Sequence, residues 1–415
     1  MKTNNSNNNK PVSDITRSPF VLDAHQGEII RALRQRQRIS RPDIVNITGW
    51  SRAKTAIEIN RLLEMGLIKE IGEGPSEGGR RPRLLSLNDE LGYLVGVDIG
   101  ATSIDVALAD FAGRILDHQS EPSDVRLPPE QVLGRCVEIL LEMLEKHGTS
   151  PQCVLGVGVG VPGPVEFSKG ILVSPPLMPN WEGYSIRSYF QQTVQSALIV
   201  VDNDVNIMAN GELRVGEGRG VDHFIFVKIG TGIGAGIVSN GRIHRGASGS
   251  AGDIGHISVD KNGPVCRCGN IGCLEAVAAG PAIAEAAQKA VLAGTSPVLA
   301  RIFQERNGEL HTEDVGAAIR EGDRTAVEIV QFCGKVIGET LASLVNFFNP
   351  SYIFVGGGVT HLGDQLLLSI RQAVLKRSLP LATRHLVIKY SSLGSKAGIM
   401  GAIYMAQDQL FWVMN

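Results

Sequence analysis

The sequence predicts an α/β protein in which a winged helix-turn-helix is followed by two related α/β lobes around a central cleft. Three short amphipathic helices precede a pair of apolar strands with a Gly/Pro-rich tip between residues 23 and 87. A pattern of strand, glycine loop and returning strand occurs at 93–109 and again at 223–238, and a third glycine loop follows the strand at 352–355. One such loop is a weak signal, but three in this order, each after an apolar strand, indicate a repeated fold.

The composition is that of an ordinary globular protein. Of the 415 residues, 43% are hydrophobic and 20% are charged, which allows two or three domains with sizeable cores. The sequence contains no run of about 18 apolar residues, so it predicts no membrane span. The polar leader lacks the apolar core of a signal peptide. Half of the six cysteines lie in one loop, a usage that suits a reducing compartment. We expect a cytoplasmic protein without membrane contact, with residues 1–20 as a disordered leader.

The net charge of −2 conceals an asymmetry. Residues 1–90 carry 15 basic and 11 acidic side chains, so the rest of the chain is acidic overall. Within residues 31–54, seven basic side chains face one acid, Asp43. A basic cluster in a mildly acidic chain predicts that one end of the protein contacts a polyanion. A solvated helix face is the alternative.

Capping residues mark the second and third of the three N-terminal helices. Asp23 precedes the first helix, Ser40 is the predicted N-cap of the second, and Ser51 is that of the third. In the third helix, Thr55, Ile59 and Leu62 form the predicted buried stripe, and Gly66 ends it. Ile57 does not fit that stripe.

The strands Leu67–Ile71 and Leu84–Leu87 complete a winged helix-turn-helix over residues 21–90, and we expect it to bind double-stranded DNA. The start of the third helix would enter the major groove, while arginines on the wing suit the minor groove. The predicted DNA-binding residues are Ser51, Arg52, Lys54, Arg80, Arg81 and Arg83. A winged helix that serves only as a protein–protein module is the alternative.

A Gly-rich loop in the second half of the chain carries a predicted zinc site, whose ligands would be His256, Cys266, Cys268 and Cys273. The three cysteines lie within CRCGNIGC. Three thiolates and one imidazole form a closed tetrahedral set, so we expect a structural rather than a catalytic metal. Unrelated reduced thiols are the alternative.

Polar residues at strand ends are candidates for chemistry. Asp98 ends the first strand of the repeat, where it could hold Mg²⁺ or orient a water. Asn203 and Asp204 follow the strand LIVVD, at the end of a strand where α/β proteins place their functional groups. Asp204 could accept a proton from a sugar hydroxyl during phosphoryl transfer. An N-cap role for Asp204 is the alternative, and the two can coexist.

With these motifs in place, the chain resembles the ROK family (repressors, open reading frames, kinases) over nearly its whole length. The segment 229–256 resembles the family signature, and CRCGNIGCLE resembles its zinc motif. PGPV and DNDVN lie where the family has its PG and ND segments. The resemblance implies an actin/hexokinase-like (ribonuclease H-like) fold, a sugar in the cleft, and dimers or tetramers. Members with an N-terminal winged helix are mostly sugar-responsive repressors.

The resemblance also implies domains and sugar contacts. Residues 91–204 would form the first lobe together with a C-terminal helix 396–415, and residues 205–395 would form the second lobe with the zinc loop. The implied sugar-binding residues are Asn203, Asp204, Asp253, His256 and Glu275.

Two departures from the family pattern affect the expected activity. The first phosphate loop of family kinases reads D-x-G-G-T-K, but here Ala101 replaces the second glycine and Ser103 replaces the lysine. Both changes weaken the prediction of ATP binding. Asp253 stands where the family motif has a glutamate, which leaves the identity of the sugar open.

The leading hypothesis is therefore a repressor that binds an operator as a homodimer or homotetramer and responds to a sugar or sugar phosphate. The alternative is an ATP-dependent sugar kinase with an appended DNA-binding domain, with Asp204 as the base and Mg²⁺ on the phosphates. In that case the nucleotide ligands would be Asp98, Gly100, Thr102, Gly230, Thr231, Gly232, Gly234 and Gly357. A constitutive DNA-binding protein that uses the lobes only to dimerise is a third hypothesis.

Overall fold

The computed structural model describes residues 20–74 and 81–414. Residues 1–19 of the predicted leader and Arg80 lie outside the described residues, whereas Phe20, placed in the leader by the sequence analysis, begins a strand. The N-terminal unit contains β1 (Phe20–Leu22), α1 (Ala24–Arg36), β2 (Ile39–Ser40), α2 (Arg41–Thr48), α3 (Arg52–Glu64), β3 (Ile68–Glu73) and β4 (Arg83–Leu87).

The caps predicted at Ser40 and Ser51 are confirmed, and Asp23 caps the first helix in the same way. The Asp23 side chain accepts from the Gln26 backbone N–H, the Ser40 side chain from Asp43, and Ser51 from Lys54. Each bond satisfies a backbone donor that has no partner within its helix. The second helix ends at Gly49, whose left-handed backbone (φ 70°) suits glycine.

The predicted buried stripe of α3 is also confirmed. Thr55, Ile59 and Leu62 are buried, and they pack with α1 over the small sheet β2–β4–β3. Ile57 is 52% exposed, because it lies on the opposite face of the helix. Three helices and a wing thus share one small core.

The first lobe consists of β5 (Tyr93–Ile99), β6 (Ser103–Asp110), β7 (Ile115–Pro122), α4 (Pro129–Lys146), β8 (Val154–Val161), β9 (Val165–Glu166), β10 (Ile171–Leu172), α5 (Ile186–Gln191) and β11 (Leu198–Asn203). The second lobe consists of α6 (Asp204–Val215), β12 (Phe224–Ile229), β13 (Ile233–Ser239), β14 (Arg242–His244), α7 (Leu274–Ala278), α8 (Gly280–Leu292), α9 (Pro297–Glu305), α10 (Thr312–Arg320), α11 (Arg324–Phe348), β15 (Tyr352–Gly356), α12 (Asp364–Arg377), α13 (Pro380–Thr383) and β16 (Val387–Tyr390). The chain continues into α14 (Lys396–Gln409) and β17 (Phe411–Val413).

The main sheets of the two lobes have the same topology, as the repeated glycine-loop pattern predicts. Their strand orders are β11–β8–β5–β6–β7 and β14–β13–β12–β15–β16. In each sheet the first strand pairs antiparallel with the second and parallel with the fourth. The glycine loops follow the first strand of each sheet, so both loops lie at the edge where the parallel strands end. This edge forms one wall of the cleft in each lobe.

The C-terminal helix α14 connects all three parts of the molecule. It packs on β5 and β8 of the first lobe and on α6 of the second. The expectation of a helix over 396–415 is wrong at its end, because residues 411–413 form β17 and pair in parallel with β1. The ring of Phe411 packs against those of Phe20 and Phe111 at the junction with the winged helix-turn-helix, while Trp412 and Val413 remain exposed. Within the described residues, no helix has both the length and the apolar character needed to cross a membrane.

Candidate functional site

A cleft of about 340 Å³ lies between the two sheets, lined by residues from both lobes. Gly100, Gly230 and Gly358, one from each predicted glycine loop, meet there. Asn203, Asp204, Asp253, His256 and Glu275 all line the same cleft. The structure therefore brings together the residues for which the family resemblance implies sugar binding.

Asn203 and Asp204 have different tasks at the start of α6. The Asn203 side-chain oxygen accepts from the Val205 N–H at 2.9 Å, and its amide donates to the Gly163 carbonyl at 3.0 Å. Asn203 is therefore the N-cap of the helix, and the N-cap alternative for Asp204 is wrong. The carboxylate of Asp204 is left to face the cleft, while the amide of Asn203 is already occupied within the protein.

Lys228 is a cleft residue that the sequence analysis missed. It lies in β12, an otherwise apolar strand, and its ammonium donates a hydrogen bond to Oδ2 of Asp204. Burial lowers the pKa of Lys228, but Asp204 and Asp98 outweigh it, so that the pKa is raised overall. The local sequence shows only one charged residue within FIFVKI, and this does not predict which residue Lys228 contacts.

Asp98 is not among the residues that line the cleft. Its carboxylate abuts Gly398 of α14, where an added Cβ would lie 1.8 Å from Oδ2. Burial raises the pKa of Asp98 to about 7, and the nearby Lys228 opposes this rise.

The nucleotide residues predicted for a kinase are also gathered at this edge. Ala101, Thr102 and Ser103 line the cleft with Gly100, and the Gly100 N–H donates to the Ser103 carbonyl within a tight turn. Thr231, Gly232 and Gly234 line it from the second lobe. Gly358, rather than the predicted Gly357, is the cleft-lining residue of the third loop.

Glu275 and His256 face the cleft from either side of the cysteine loop. Glu275 Oε2 accepts from the backbone N–H of Ile233 at 3.2 Å. This contact requires glycine at position 232, because an added Cβ would lie 2.3 Å from that oxygen. Asp253 Oδ1 lies 3.8 Å from His256 Nε2, so the outer nitrogen of the imidazole faces a carboxylate at the cleft.

The inner nitrogen of His256 belongs to a cluster with the three cysteines. The ligand atoms of His256, Cys266, Cys268 and Cys273 all lie within 4.8 Å of one another. Two contacts are 3.6 Å (His256 Nδ1 to Cys266 Sγ) and 3.7 Å (Cys268 Sγ to Cys273 Sγ). Zinc–thiolate bonds of about 2.3 Å in a tetrahedron place neighbouring ligands about 3.8 Å apart. The cluster could therefore hold a metal ion, and zinc fits its donors and spacing.

The predicted DNA-binding residues differ in exposure and in whether their side chains already contact other residues. Ser51 and Arg52 are exposed at the start of α3. Lys54 instead lies over the ring of Trp50, with its Nζ 2.6 Å from His25 Nε2. The start of α3 thus presents the Ser51 hydroxyl and the Arg52 guanidinium, which has no side-chain partner among the described residues.

On the wing, Arg81 is exposed, while Arg83 donates to Glu70 at 2.6 Å. Glu70 also accepts from Arg41 at 3.3 Å. The wing strand therefore holds Arg83 in an ion pair, whereas Arg81 has no ion pair with any residue that the structure describes.

Comparison with known proteins agrees with this arrangement. The ROK family model matches residues 94–409. The xylose repressor of Caldicellulosiruptor bescii is 31% identical over 91% of this chain and 94% of its own length. A glucokinase of Halalkalibacterium halodurans is 33% identical over 76% of this chain and 96% of its own length. A crystal structure of a ROK family transcriptional regulator, a homologue of the Escherichia coli MLC protein, superimposes with a TM-score of 0.78 over 93% of this chain and 95% of that one, at 27% identity. The family model covers the two lobes and α14, and on this ground the chain belongs to the ROK family.

Proposed function

We propose that the protein is a sugar-responsive transcriptional repressor of carbohydrate-metabolism genes. The observation that carries this proposal is that one chain joins a winged helix-turn-helix to a cleft lined by side chains of the kind that bind sugar hydroxyls. The carboxylates of Asp204, Asp253 and Glu275 suit paired sugar hydroxyls. A repressor relative and a regulator structure that match more than nine-tenths of the chain support the same function.

A continuous set of contacts supports coupling between sugar and DNA. Asp204 is the first residue of α6, and Arg214 lies in the last turn of the same helix. Arg214 pairs with Asp408 of α14 at 2.6 Å, and Asp408 also pairs with Arg34 of α1. A helix that begins at the sugar site thus ends at a charge shared with the DNA-binding unit. Sugar would weaken operator binding if it binds the DNA-free arrangement of these helices better.

The metal in this proposal is a structural zinc ion. Bound by His256 and the three cysteines, it would leave no open position for a substrate. The cluster lies next to Glu275, because its ligand Cys273 is only two residues before Glu275. Between them, the Leu274 N–H donates to the carbonyl of Ile257, the residue after His256, at 2.9 Å. Zinc would therefore hold His256 and Glu275 at a fixed separation across the cleft.

The functional unit in this proposal is a homodimer. One chain offers one α3, whereas an operator with two half-sites needs two. The second lobe exposes a row of large apolar side chains on α11, α12 and the segment after it, with Phe347 89% exposed. The row consists of Phe332, Phe347, Leu368, Leu375, Leu379 and Leu381. Arg377 of α12 pairs with Glu339 of α11, and the Leu379 N–H after α12 donates to Asn346 of α11, which suits a single face for a second copy of the chain.

A sugar kinase is the second candidate, because a glucokinase matches both lobes and Asp204 faces the cleft. Ala101 and Ser103 replace the glycine and lysine of the first phosphate loop, and Lys228 occupies an oxygen of Asp204. These residues favour binding without turnover.

The test begins with an operator selected from a random DNA library by the full-length, zinc-loaded protein. Operator affinity is then measured by fluorescence anisotropy with and without each member of a sugar panel, and each sugar is also assayed for ATP-dependent phosphorylation. A sugar that weakens operator binding at least ~5-fold without turnover is the expected result. Operator affinity that no sugar changes, or turnover that Asp204→Asn abolishes, would overturn the repressor proposal.

A further inference from the structure

Ile57 is a large apolar side chain on the exposed surface of α3. Thr55 and Ile59 belong to the buried face of this helix, and Ile57 lies two positions from each of them. Two positions correspond to about 200° around a helix, so Ile57 lies on the opposite face, with 52% of its surface exposed. The packing of the N-terminal unit therefore does not require an isoleucine at this position.

The side chains around Ile57 are small or uncharged. Ala53 lies one turn before it and Asn60 one turn after it, and both are exposed. The side-chain oxygen of Asn60 accepts from Arg41 at 3.4 Å. Glu64, further along the same face, is the last residue of α3. The middle of the exposed face is therefore an uncharged strip centred on Ile57.

Two basic side chains lie along one side of this strip. Lys54 and Arg61 are seven positions apart and so occupy the same side of the helix. The Lys54 Nζ lies 2.6 Å from His25 Nε2 and 4.9 Å from the centre of the Trp50 ring. Arg61 donates to the carboxylate of Glu58 at 3.0 and 3.2 Å. Both cations thus contact neighbouring residues beside the strip and leave Ile57 uncovered.

Double-stranded DNA is the partner that fits this face. Residues 1–90 carry 15 basic and 11 acidic side chains, so α3 belongs to the basic part of the chain. A single isoleucine with small or polar neighbours offers too little apolar area for a stable protein interface. A helix in the major groove instead presents its exposed face to the base edges, where the one apolar group is the 5-methyl group of thymine.

We propose that Ile57 is a specificity determinant of the operator, because its side chain packs on the 5-methyl group of a thymine in each half-site. Cytosine lacks this methyl group, and the purines present polar atoms to the major groove. Ala53, one turn earlier, has only a methyl group and lets the helix approach the same base pairs closely. This inference rests on the proposed repressor function and names the base that the DNA-binding unit reads through α3.

The test uses the operator that the full-length, zinc-loaded wild type selects from a random library. Each thymine of the half-site is replaced in turn, in both half-sites, by deoxyuridine, which lacks only the 5-methyl group. Fluorescence anisotropy measures the operator affinity. At one position the replacement should weaken wild-type binding ~10-fold, since each half-site loses one buried methyl group. The same replacement should change the affinity of Ile57→Ala less than ~2-fold, because the contact is already absent.

Ile47→Ala is the matched control, since Ile47 is an isoleucine of α2 in the same unit and is 38% exposed. It should keep the full deoxyuridine effect. Ile57→Val, which retains a branched apolar side chain, should keep part of it. Ile57→Ala should melt within ~2 °C of the wild type, because the shortened side chain is exposed and alanine favours a helix.

An operator whose thymines can all be replaced without loss of wild-type affinity overturns the inference but leaves the repressor function standing. The same holds if Ile57→Ala keeps the deoxyuridine effect, or if Ile47→Ala loses it in place of Ile57→Ala, which would assign the methyl contact to α2. If the wild type selects no operator at all, the repressor function fails, and the inference fails with it.

Discussion

Arg34 of α1 and Asp408 of α14 form an ion pair at the junction between the winged helix-turn-helix and the lobes. The Arg34 Nε also donates to Gln407 at 2.9 Å, and the Gln407 amide donates to the Phe111 carbonyl at 2.7 Å. Asp408 is shared with Arg214 at the end of α6. Burial and the like charge of Arg214 lower the pKa of Arg34. One carboxylate therefore balances two guanidinium groups from different parts of the molecule.

Asp408→Asn should uncouple operator binding from sugar binding. Without the carboxylate, Arg34 and Arg214 repel each other, and α6 loses its ionic link to the DNA-binding unit. We expect the change in operator affinity on adding sugar to fall below ~2-fold, against the 5- to 150-fold range typical of coupled sites. Operator anisotropy with and without sugar measures this, and calorimetry should find the sugar affinity unchanged within ~2-fold. Asp117→Asn, which breaks a pair with Lys146 on the first lobe, is the control and should keep full coupling.

Cys268→Ser should remove the metal and destabilise the protein. Three remaining ligands hold zinc far more weakly than four, so bound zinc should fall from ~1 per chain to near zero. We expect the melting temperature to fall by ~5 °C or more. Metal analysis and thermal melting are the measurements. The control is Cys153→Ser, at an exposed cysteine outside the cluster, which should change neither. Zinc that persists in Cys268→Ser would contradict the assignment.

Arg52→Ala should weaken operator binding more than substitutions on the wing. Arg52 is exposed at the start of α3, and loss of a base or phosphate contact there should cost ~1–3 kcal/mol. Arg81→Ala should have a smaller effect, and Arg83→Ala the smallest, because Arg83 is bound to Glu70. Anisotropy across a salt series gives both affinity and the number of phosphate contacts. Arg324→Ala, an exposed arginine on α11, serves as the control. Equal effects of Arg83→Ala and Arg52→Ala would contradict the α3-centred interface.

Phe347→Asp should dissociate the proposed homodimer. A carboxylate at the centre of an apolar interface loses its hydration and finds no partner, which disfavours association. Light scattering after gel filtration should show a monomer at micromolar concentration, with weaker operator binding as a consequence. Leu141→Asp, at an exposed leucine of α4 in the first lobe, should leave the mass unchanged. A dimer that survives Phe347→Asp places the interface elsewhere.

Much of the fold could be predicted because its signals are local. Caps at Ser40 and Ser51 lie next to the helices they begin, and the repeated strand–glycine–strand segments are each formed by neighbouring residues. The metal cluster was readable for the same reason, since three of its members lie within one short loop.

The features that were missed depend on residues far apart in sequence. β17 pairs with β1 from the opposite end of the chain, and its three residues carry too little pattern to distinguish a strand from the end of a helix. Lys228 contacts Asp204 across 24 positions, so its sequence context shows only a charge within an apolar run. The loss of Arg83 as a free cation likewise depends on Glu70, on the facing strand of the wing.

Asp98→Asn should stabilise the protein at alkaline pH. Burial raises the pKa of Asp98 from 3.8 to about 7, against the opposing charge of Lys228. The folded protein therefore keeps this proton while the unfolded chain releases it, and the contribution to stability falls as pH rises from about 4 to about 7. Asparagine remains neutral throughout. The variant should melt above the wild type at about pH 8, by at most ~4 kcal/mol in unfolding free energy, and the difference should vanish near pH 4.

Asp117 offers a control of opposite sign for this pH dependence. Its hydrogen bond from Lys146 lowers the pKa of the carboxyl, so its contribution to stability is present above its ordinary pKa and is lost on acidification. Asp117→Asn should therefore melt below the wild type at about pH 8 and approach it at low pH. Thermal melts of both variants and the wild type across this range measure the two signs together. An Asp98→Asn variant that melts below the wild type at about pH 8 would mean that Asp98 is retained as a charged partner of Lys228 rather than as a buried, partly neutral carboxyl.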